Sequence, residues 1–414
     1  MKELLSTRGQ SLSRDMPALQ QAHFAIQENL YDPKTRPKGY INMGTAETHL
    51  IDDEVIAFLN RVQNNLEMKP HHLHYDYFHG SREFRTAIAA YWEKLIFPDG
   101  RQKLSCENIA IGTGCTLALE YLAVMLADPD DVFLIPSPYY SSFEDDIQAR
   151  ALVEPVAVPC GADLSRSAFK TVLEEQKQAG KKVRAVLFAS PNNPVGTVYD
   201  PEALDTLLSF CMDHDLDLIA DEIYAQTIHD PQVKWVSIMS RVPDEYRHRV
   251  HVTTSFAKDF ALSGFRTGFV ISFNPDLLKG VHGLAYFSAV STHTQALLTE
   301  LLNTPRLEKL VETNQKQLRK SYELMAESLQ NMDIPTLPAQ GGIFVMANLG
   351  AFMRKPEFAE EFVLWEKIYQ ELKINITPGQ LFKTNEPGWF RVCYAHPHRV
   401  VEEACRRIKT LTRF

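Results

Sequence analysis

Lys258 and the residues beside it are the part of this sequence that most clearly carries chemistry. Lys258 follows an apolar run at residues 250–254, which predicts a buried strand. A lysine at that place loses hydration of its ammonium group, so its pKa falls and its amine can form a Schiff base. Arg266 precedes the next apolar run and, with Ser255 and nearby glycines, could bind an anion. A strand-capping lysine and an arginine in a surface ion pair are the structural alternatives.

Two further strand ends carry an amide, an acid and a phenol. An Asn-Pro-Val-Gly turn begins at Asn193, after the apolar run 183–189, and Pro194 makes it rigid because it fixes its own φ and restricts Asn193. Asp221 and Tyr224 follow the next apolar run. An acid at the end of a buried strand could pair with a buried ring nitrogen and keep it protonated. An ordinary β-turn and a helix N-cap are the alternatives for Asn193 and Asp221.

Two more strand ends supply an aromatic ring and a possible phosphate site. Tyr140 follows the apolar run 132–135 through two prolines, where it could stack on a flat cofactor or belong to the core. Gly112-Thr113-Gly114 lies between a predicted strand and a predicted helix. The third glycine of a dinucleotide fingerprint is replaced by Leu117, which disfavours a dinucleotide site. The helix N-terminus can still present backbone N–H groups to a phosphate.

These parts together match the needs of pyridoxal phosphate. That cofactor requires a lysine for the Schiff base, an acid for the pyridine nitrogen, a stacking ring and a phosphate site. Each part alone has an ordinary structural explanation, but all of them occur on successive strand ends of one chain. The sequence therefore predicts a pyridoxal-phosphate enzyme.

The elements that must position these residues follow an alternating pattern. Continuous apolar runs separated by helical patterns are typical of an α/β fold, with a mostly parallel sheet flanked by helices. Loops at the carboxyl ends of such a sheet carry its functional residues. The predicted strands are residues 109–111, 132–135, 183–189, 216–220, 250–254 and 268–272, and helices are predicted at 116–127 and 201–213.

The pattern changes after about residue 274 and predicts a smaller α+β domain. Helices are expected at 296–302, 308–332 and 399–411, and strands at 341–347 and 390–395. We therefore expect three parts along the chain. They are an N-terminal arm that packs on the small domain (residues 1–50), a large cofactor-binding domain (51–290) and a small C-terminal domain (291–414).

Composition narrows the class of protein further. The 414 residues include 43 basic and 52 acidic ones, a net charge of −9, so affinity for nucleic acid or for an anionic membrane is not expected. No run of about 18 apolar residues predicts a membrane span. The six cysteines and the histidines at 71–74 show no metal-ligand spacing, so we expect free thiols and no metal site. A cytoplasmic protein is the expectation.

Several longer motifs resemble the class I/II aminotransferase superfamily of pyridoxal-phosphate enzymes (fold type I), and within it most of all the 1-aminocyclopropane-1-carboxylate synthases. The resemblance extends from about residue 44 to about residue 407. The segment around Lys258 is specific to the superfamily, whereas E-P-G-W-F-R-V-C is typical of the synthases. The motifs are G-T-A-E at 44–47, H-G-S-R-E-F-R at 79–85, L-A-D-P at 126–129, P-S-P-Y-Y at 136–140, N-P-V-G at 193–196, D-E-I-Y at 221–224, residues 255–268 and E-P-G-W-F-R-V-C at 386–393.

The resemblance implies a role for each catalytic residue. Lys258 would hold the cofactor as a Schiff base and later move the Cα proton of the substrate. Asp221 would pair with the pyridine nitrogen, and Asn193 and Tyr224 would contact the 3′-oxygen of the ring. Tyr140 would stack on the ring.

It also implies how the phosphate and the substrate are bound. The phosphate site would be shared by four residues at two strand ends, namely Cys115, Thr116, Ser255 and Arg266. Arg391 would bind the α-carboxylate of the substrate as a bidentate fork, with Asn193 beside it. Glu47 matches an acidic position that the synthases keep near the substrate side chain.

Three positions depart from the family pattern. Phe78 stands where the family usually has a tyrosine that reaches the cofactor phosphate across a dimer interface, and Tyr77 beside it would point elsewhere. Ala257 replaces a second small hydroxyl residue near the phosphate. Thr48 and His49 replace the usual Asn-Gln after the Ala-Glu pair. We therefore expect a weaker phosphate site and an altered substrate pocket.

The resemblance implies an enzyme that acts on an L-amino acid, and leaves its reaction open. A synthase-like elimination of a γ- or β-leaving group, with S-adenosylmethionine as the first candidate substrate, is one reading. The alternative is an aminotransferase that moves the amino group of an L-amino acid to a 2-oxo acid. A non-catalytic pyridoxal-phosphate sensor is a remote third reading. A homodimer with a shared active site is expected from the family.

Overall fold

A computed structural model describes residues 4–13 and 15–413. This part of the chain contains thirteen α-helices and twelve strands. The helices are α1 (Thr7–Leu12), α2 (Ala18–Ala25), α3 (Asp52–Asn65), α4 (Arg82–Ile96), α5 (Gly114–Leu126), α6 (Phe143–Gln148), α7 (Arg166–Gln178), α8 (Pro201–Asp213), α9 (Pro275–Leu284), α10 (Thr292–Asn303), α11 (Leu307–Gln330), α12 (Phe358–Lys367) and α13 (His398–Ile408). The strands are β1 (Ile41–Asn42), β2 (Ile109–Gly112), β3 (Val132–Ser137), β4 (Glu154–Pro159), β5 (Val183–Ala189), β6 (Asp217–Asp221), β7 (Val250–Ser255), β8 (Gly268–Ser272), β9 (Phe344–Asn348), β10 (Ile374–Asn375), β11 (Thr377–Pro378) and β12 (Trp389–Cys393).

The large sheet has seven strands in the order β2-β8-β7-β6-β5-β3-β4. Strands β7, β6, β5, β3 and β4 are parallel, while β8 is antiparallel to both of its neighbours. The carboxyl ends of β5, β6 and β7 therefore lie side by side at one edge. The predicted mostly parallel sheet flanked by helices is confirmed.

Both faces of this sheet are covered, which explains the continuous apolar runs. On β3, Val132 and Leu134 belong to one hydrophobic cluster, whereas Phe133 and Ile135 belong to another. Because successive side chains of a strand point to opposite faces, these two clusters are the two sides of the sheet. Helix α5 packs on one side with α6 and α9, and the other side holds the apolar residues of α4, α8 and α10.

A third hydrophobic cluster surrounds the smaller antiparallel sheet β11-β12-β9. It includes residues of α11, α12 and α13 and, from the N-terminal segment, Ala22, Ile41 and Met43. Strand β1 pairs in parallel with β10. The N-terminal segment thus contacts the C-terminal part of the chain.

Packing places α10 with the large sheet, not with the small one. This helix contacts α3 and α4, and Leu298 and Leu301 belong to the core of the large sheet. Helix α11 joins the two cores, since Leu307 and Val311 lie in the first and Leu318 in the second. We therefore propose a boundary within α11, later than the predicted residue 291.

Candidate active site

The parallel strands bring three of the predicted residues to one edge of the large sheet. Asp221 ends β6, Lys258 follows β7, and Asn193 follows β5. Ala189 on β5 pairs with Asp221, which in turn pairs with Thr253 on β7. The sheet register therefore sets the spacing of these functional loops.

One cavity gathers all nine residues predicted to bind the cofactor. Its wall also includes Ala46, Asp146, Ser263 and Thr267, which the sequence analysis did not single out. The nine are Cys115, Thr116, Tyr140, Asn193, Asp221, Tyr224, Ser255, Lys258 and Arg266. The two other predicted residues, Glu47 and Arg391, reach this group through hydrogen bonds described below.

Lys258 is half-buried, and its Nζ donates a hydrogen bond to the carbonyl oxygen of Ala46. Burial lowers the pKa of Lys258, and the Glu47 carboxylate opposes that shift. A lowered pKa enlarges the fraction of neutral amine, the form that attacks a carbonyl group.

Asp221 is 4% exposed and lines the cavity. Its Oδ1 accepts a hydrogen bond from the backbone N–H of Ile223 at 3.2 Å and another from the thiol of Cys115 at 3.4 Å. Burial raises the pKa of Asp221 to about 7. A protonated ring nitrogen would supply the opposite charge that stabilises the ionised carboxylate.

The start of α5 lines the side of the cavity where the phosphate site is predicted. Helix α5 begins at Gly114, two residues earlier than predicted, so Cys115 and Thr116 lie in its first turn. The N-cap residue, Thr113, makes no side-chain capping bond, which leaves the first-turn N–H groups available to an anion. A Cβ at Gly268 would lie 2.5 Å from the backbone nitrogen of Cys115, so a glycine is needed where the two segments meet.

The two predicted cofactor-facing phenols differ in their surroundings. Tyr140 lies edge-on to Phe143 at 5.4 Å, and burial raises its pKa to about 12. Tyr224 is 2% exposed and lies edge-on to Phe344 of β9, at 5.3 Å. Burial also raises the pKa of Tyr224. Both phenols therefore remain protonated near neutral pH and can donate hydrogen bonds.

Arg391 projects from β12 of the small sheet toward the large one. Its Nη1 donates to Oδ1 of Asn193 at 2.9 Å, and its Nη2 donates to the carbonyl oxygen of Gly44 at 2.6 Å. The guanidinium lies over the rings of Phe344 and Phe382, at 5.2 Å and 4.8 Å.

The charge of Arg391 is buried without an acidic partner. The residue is 5% exposed, and within residues 4–13 and 15–413 it forms no ion pair with a carboxylate. Its Nε is buried and has no hydrogen-bond partner in the described structure. A substrate carboxylate would compensate the charge and pair with the donors of the fork.

Glu47 lies at the edge of the same site. Its Oε1 accepts a hydrogen bond from the hydroxyl of Ser263 at 2.6 Å, and its backbone oxygen accepts a weak one from the thiol of Cys393 at 3.5 Å. Because Ser263 lines the cavity and Ala46 contacts Lys258, the carboxylate of Glu47 is held next to the reacting end of the cavity.

Asp146 is a buried acid that the sequence analysis missed. It lies in α6, lines the cavity and is 7% exposed, with one carboxylate oxygen that has no hydrogen-bond partner. Burial raises the pKa of Asp146 to about 7. Three acidic residues start this short helix, and nothing in their spacing indicates which of them faces inward.

Phe78 packs away from the cavity of its own chain. Its ring lies edge-on to Tyr286 at 4.9 Å and to Tyr75 at 6.0 Å. A phosphate contact from position 78 would therefore have to be made to another subunit. Ala257, the other departure near the phosphate, does line the cavity.

Residues 40–408 match the family model described as aminotransferase class I and II. The chain belongs to that family. The match covers the large sheet, the small sheet and every predicted site residue. This family uses pyridoxal phosphate, so the chain is a pyridoxal-phosphate-dependent enzyme of the aminotransferase superfamily with the type I fold.

Curated relatives of this aminotransferase-family enzyme include plant synthases. A 1-aminocyclopropane-1-carboxylate synthase of Cucurbita maxima is 32% identical over 401 residues, covering 93% of this chain and 80% of the relative. The synthase 7 of Arabidopsis thaliana is 32% identical over 402 residues, with coverages of 93% and 89%.

Solved structures support the fold. The aspartate aminotransferase of Thermus thermophilus in complex with maleate has a TM-score of 0.81 at 20% identity, covering 99% of both chains. An aromatic aminotransferase of Pyrococcus horikoshii has a TM-score of 0.76 at 23% identity, covering 95% of this chain and 98% of the other.

The residues of the cavity fit the cofactor of the family. A half-buried lysine with a lowered pKa, a buried acid and an uncapped helix start surround one space. One carboxylate oxygen of Asp146 and the Nε of Arg391 are buried polar atoms that have no hydrogen-bond partner among the described residues. No group of three or more described residues has the geometry of a metal site.

Proposed function

We propose that this enzyme eliminates a γ- or β-leaving group from an L-amino acid, with S-adenosylmethionine as the first candidate substrate. The identities of about one third to 1-aminocyclopropane-1-carboxylate synthases support this reaction. The observation that carries the proposal is the position of Glu47 beside Lys258. The carboxylate of Glu47 determines which charge is favoured on the substrate side chain.

A carboxylate at this place favours a substrate with a positively charged side chain. Glu47 is close enough to Lys258 to act on its pKa, and its side chain is fixed by Ser263. A sulfonium next to it is attracted, whereas the second carboxylate of a dicarboxylic amino acid is repelled. Arg266 and Lys258 are the cations among the described residues that line the cavity, and both are assigned to the cofactor. A second carboxylate therefore has no cation left in this chain's cavity.

The altered pair after Glu47 does not change that cavity wall. The imidazole of His49 contacts Asp52 at 3.1 Å and stacks on His396, with the ring centres 5.2 Å apart. Thr48 is buried. The departure at positions 48 and 49 thus affects the packing of the segment behind Glu47, and neither residue lines the cavity that Lys258 lines.

The chain's own residues would carry the reaction as follows. Arg391 binds the α-carboxylate with its planar fork and so fixes the orientation of the Cα–H bond. Lys258 takes the proton from Cα, the Cγ–S bond breaks with its electron pair leaving on sulfur, and a new Cα–Cγ bond closes the ring. Asp221 holds the ring nitrogen protonated. Bound pyridoxal phosphate supplies the electron sink for the charge left at Cα.

We further propose a homodimer with a shared active site, in a reducing, cytoplasmic setting. Four aromatic side chains in two adjoining segments are exposed by 61% or more: Tyr75, Tyr77, Tyr286 and Phe287. Phe78 contacts Tyr286, and this contact joins the two segments, residues 75–78 and 286–287, that carry the four exposed aromatic side chains. An exposed aromatic patch of this kind is typical of an interaction surface. The six cysteines are free, and no described helix combines the length and apolar character needed to cross a bilayer.

The dimer is tested by light scattering after chromatography. The wild type is expected at twice the chain mass, and the double variant Tyr286→Ser/Phe287→Ser at or near the single mass. Phe24→Ser is the matched control, since Phe24 is 60% exposed on α2 and lies outside the patch. A wild type that runs as a monomer at micromolar concentration would disprove the dimer.

The reaction is tested by adding S-adenosylmethionine to the purified, cofactor-loaded protein. Release of methylthioadenosine with formation of the cyclopropane acid supports the synthase reaction. Conversion of the visible band to that of the pyridoxamine form by ordinary L-amino acids would instead identify an aminotransferase. Glu47→Gln is expected to raise the KM for S-adenosylmethionine by about tenfold, the effect of losing about 1.4 kcal/mol of charge attraction, while a neutral amino acid that binds is affected less.

A further inference from the structure

Asp259, the residue after the catalytic lysine, is a buried acid that no step above uses. It is 1% exposed. Both of its carboxylate oxygens accept hydrogen bonds from one residue, Gln226. The backbone N–H of Gln226 donates to Oδ1 at 3.1 Å, and its side-chain Nε2 donates to Oδ2 at 3.2 Å. The backbone next to Lys258 is thus held to one residue of the neighbouring loop, and we call these two hydrogen bonds between Asp259 and Gln226 the clamp.

Gln226 is tied in turn to two helices. Its side-chain Oε1 accepts a hydrogen bond from the hydroxyl of Tyr91 on α4 at 2.6 Å. Its backbone oxygen accepts one from Nε2 of Gln315 on α11 at 3.0 Å. The backbone N–H, the backbone oxygen and both polar atoms of the side chain of Gln226 are therefore occupied, and the residue is 6% exposed. Such a fully satisfied buried network defines one arrangement of the groups it joins.

The two loops that meet at this clamp carry the groups at the reacting end of the cavity. Gln226 lies two residues after Tyr224, and Asp259 lies one residue after Lys258. Lys258 itself makes one hydrogen bond through its side chain, to the backbone of Ala46. In catalysis that bond must be released whenever Nζ moves to the substrate, so the clamped backbone remains as the fixed support of the lysine.

We propose that Asp259 and Gln226 are positioning residues that hold Lys258 in register with Tyr224 and Asp221. The role differs from ordinary core packing in one measurable respect. A packing role affects stability alone, whereas a positioning role also changes how the lysine amine reacts with the cofactor and with Cα. The proposal requires the cofactor chemistry of Lys258 and does not depend on which amino acid is the substrate.

The test removes the clamp from each side and then rebuilds it with the polarity exchanged. Asp259→Leu removes both acceptors, and Gln226→Leu removes the side-chain donor together with the acceptor of Tyr91, so each single variant breaks the side-chain bond. In the double variant Asp259→Asn/Gln226→Glu the new amide at 259 donates to the new carboxylate at 226, which can still accept from Tyr91. The backbone N–H of residue 226 keeps its acceptor. This exchanged pair is therefore expected to retain what each leucine variant loses.

Two readouts report on Lys258 without turnover. The first is the apparent pKa of the visible band of the loaded enzyme, expected to shift by about one unit in each single variant, a tenfold change in the protonation equilibrium. The second is the rate at which the apoprotein recaptures pyridoxal phosphate, expected to fall about tenfold. A displaced lysine also lowers kcat by about 10- to 100-fold.

Asp217→Asn is the matched control. Asp217 is 5% exposed and starts β6, the strand that ends at Asp221, and it pairs with Arg249 at 3.0 Å. The Asp217→Asn variant is expected to lower the free energy of unfolding. It should leave unchanged both the apparent pKa of the visible band and the rate at which the apoprotein recaptures pyridoxal phosphate. The proposal is overturned if Asp259→Leu and Gln226→Leu behave in the same way as this control. If either single variant does not fold, Tyr91→Phe, which removes only the outer bond, is measured with the same readouts and decides the question.

Discussion

Arg391 and Asn193 are 198 residues apart in the sequence, yet Nη1 of the arginine lies 2.9 Å from Oδ1 of the asparagine. The bond joins the small sheet to the loop after β5 of the large sheet. Asn193 therefore faces both the predicted ring oxygen of the cofactor and the predicted carboxylate site. In the proposed site this one amide would couple substrate binding to cofactor orientation.

Replacing Arg391 by lysine is expected to raise the KM for the amino-acid substrate about 100-fold, which corresponds to about 3 kcal/mol. The lysine keeps the charge but loses the planar fork that pairs with a carboxylate and the contact with Asn193. Steady-state kinetics with the identified substrate measure the effect. Arg241→Lys, at a surface pair with Asp205, serves as control. An unchanged KM would remove Arg391 from the substrate site.

Lys258→Ala is expected to abolish both the visible absorbance of the bound cofactor and turnover, because the amine that binds the cofactor covalently is lost. An absorbance spectrum after incubation with pyridoxal phosphate, together with product analysis, checks both. Lys279→Ala, an exposed lysine on α9, is expected to leave both intact. If the Lys258→Ala variant kept both the visible absorbance of the bound cofactor and turnover, another residue would be the catalytic lysine.

Much of the large sheet could be predicted because its strands are buried on both faces. Strands β5 and β8 and helix α8 begin and end at the predicted residues. Helix α8 starts with Pro201 after an N-cap, Asp200, whose side chain accepts from Ala203 at 2.8 Å, and both are strong start signals. Strand β4 was not predicted. It contains two prolines and has one buried residue, Val158, which an edge strand tolerates.

The gathering of the nine residues predicted to bind the cofactor could be expected because each lies at or near the end of a strand in one mostly parallel sheet. Contacts between side chains on different helices or loops could not be predicted from the sequence. The inward direction of Asp146 depends on how α6 packs against α5, and the clamp between Gln226 and Asp259 depends on the facing of two loops. Such contacts are set by tertiary packing and leave no periodic pattern in the sequence.

Asp221→Asn is expected to make the apoprotein more stable at pH 8 than the wild type. Burial raises the pKa of Asp221 from 3.8 to about 7. Between these values the folded state holds more protons than the unfolded state, so this group's contribution to stability falls as the pH rises. Above about pH 7 the wild type bears the full cost of a buried charge, which the amide avoids.

Urea unfolding of both apoproteins from pH 4 to pH 8 measures that difference. The stability gap between variant and wild type should widen with pH and level off above about pH 7. The same variant should bind the cofactor more weakly, since the ring nitrogen loses its ionic partner. A gap that is constant over this range would mean that Asp221 titrates normally in the folded chain.

Phe78→Tyr is expected to lower the dissociation constant of pyridoxal phosphate about tenfold, which corresponds to one added hydrogen bond to a charged group at about 1.5 kcal/mol. Phe78 lies beside the exposed Tyr286, on the face proposed to bind a second subunit, so the new hydroxyl would reach the phosphate of the partner's site. Equilibrium dialysis with absorbance detection measures the constant. Tyr77→Phe is the control, because Tyr77 is 61% exposed and contacts His79 instead. If Phe78→Tyr and wild type have the same dissociation constant for pyridoxal phosphate, position 78 does not face a phosphate in either subunit.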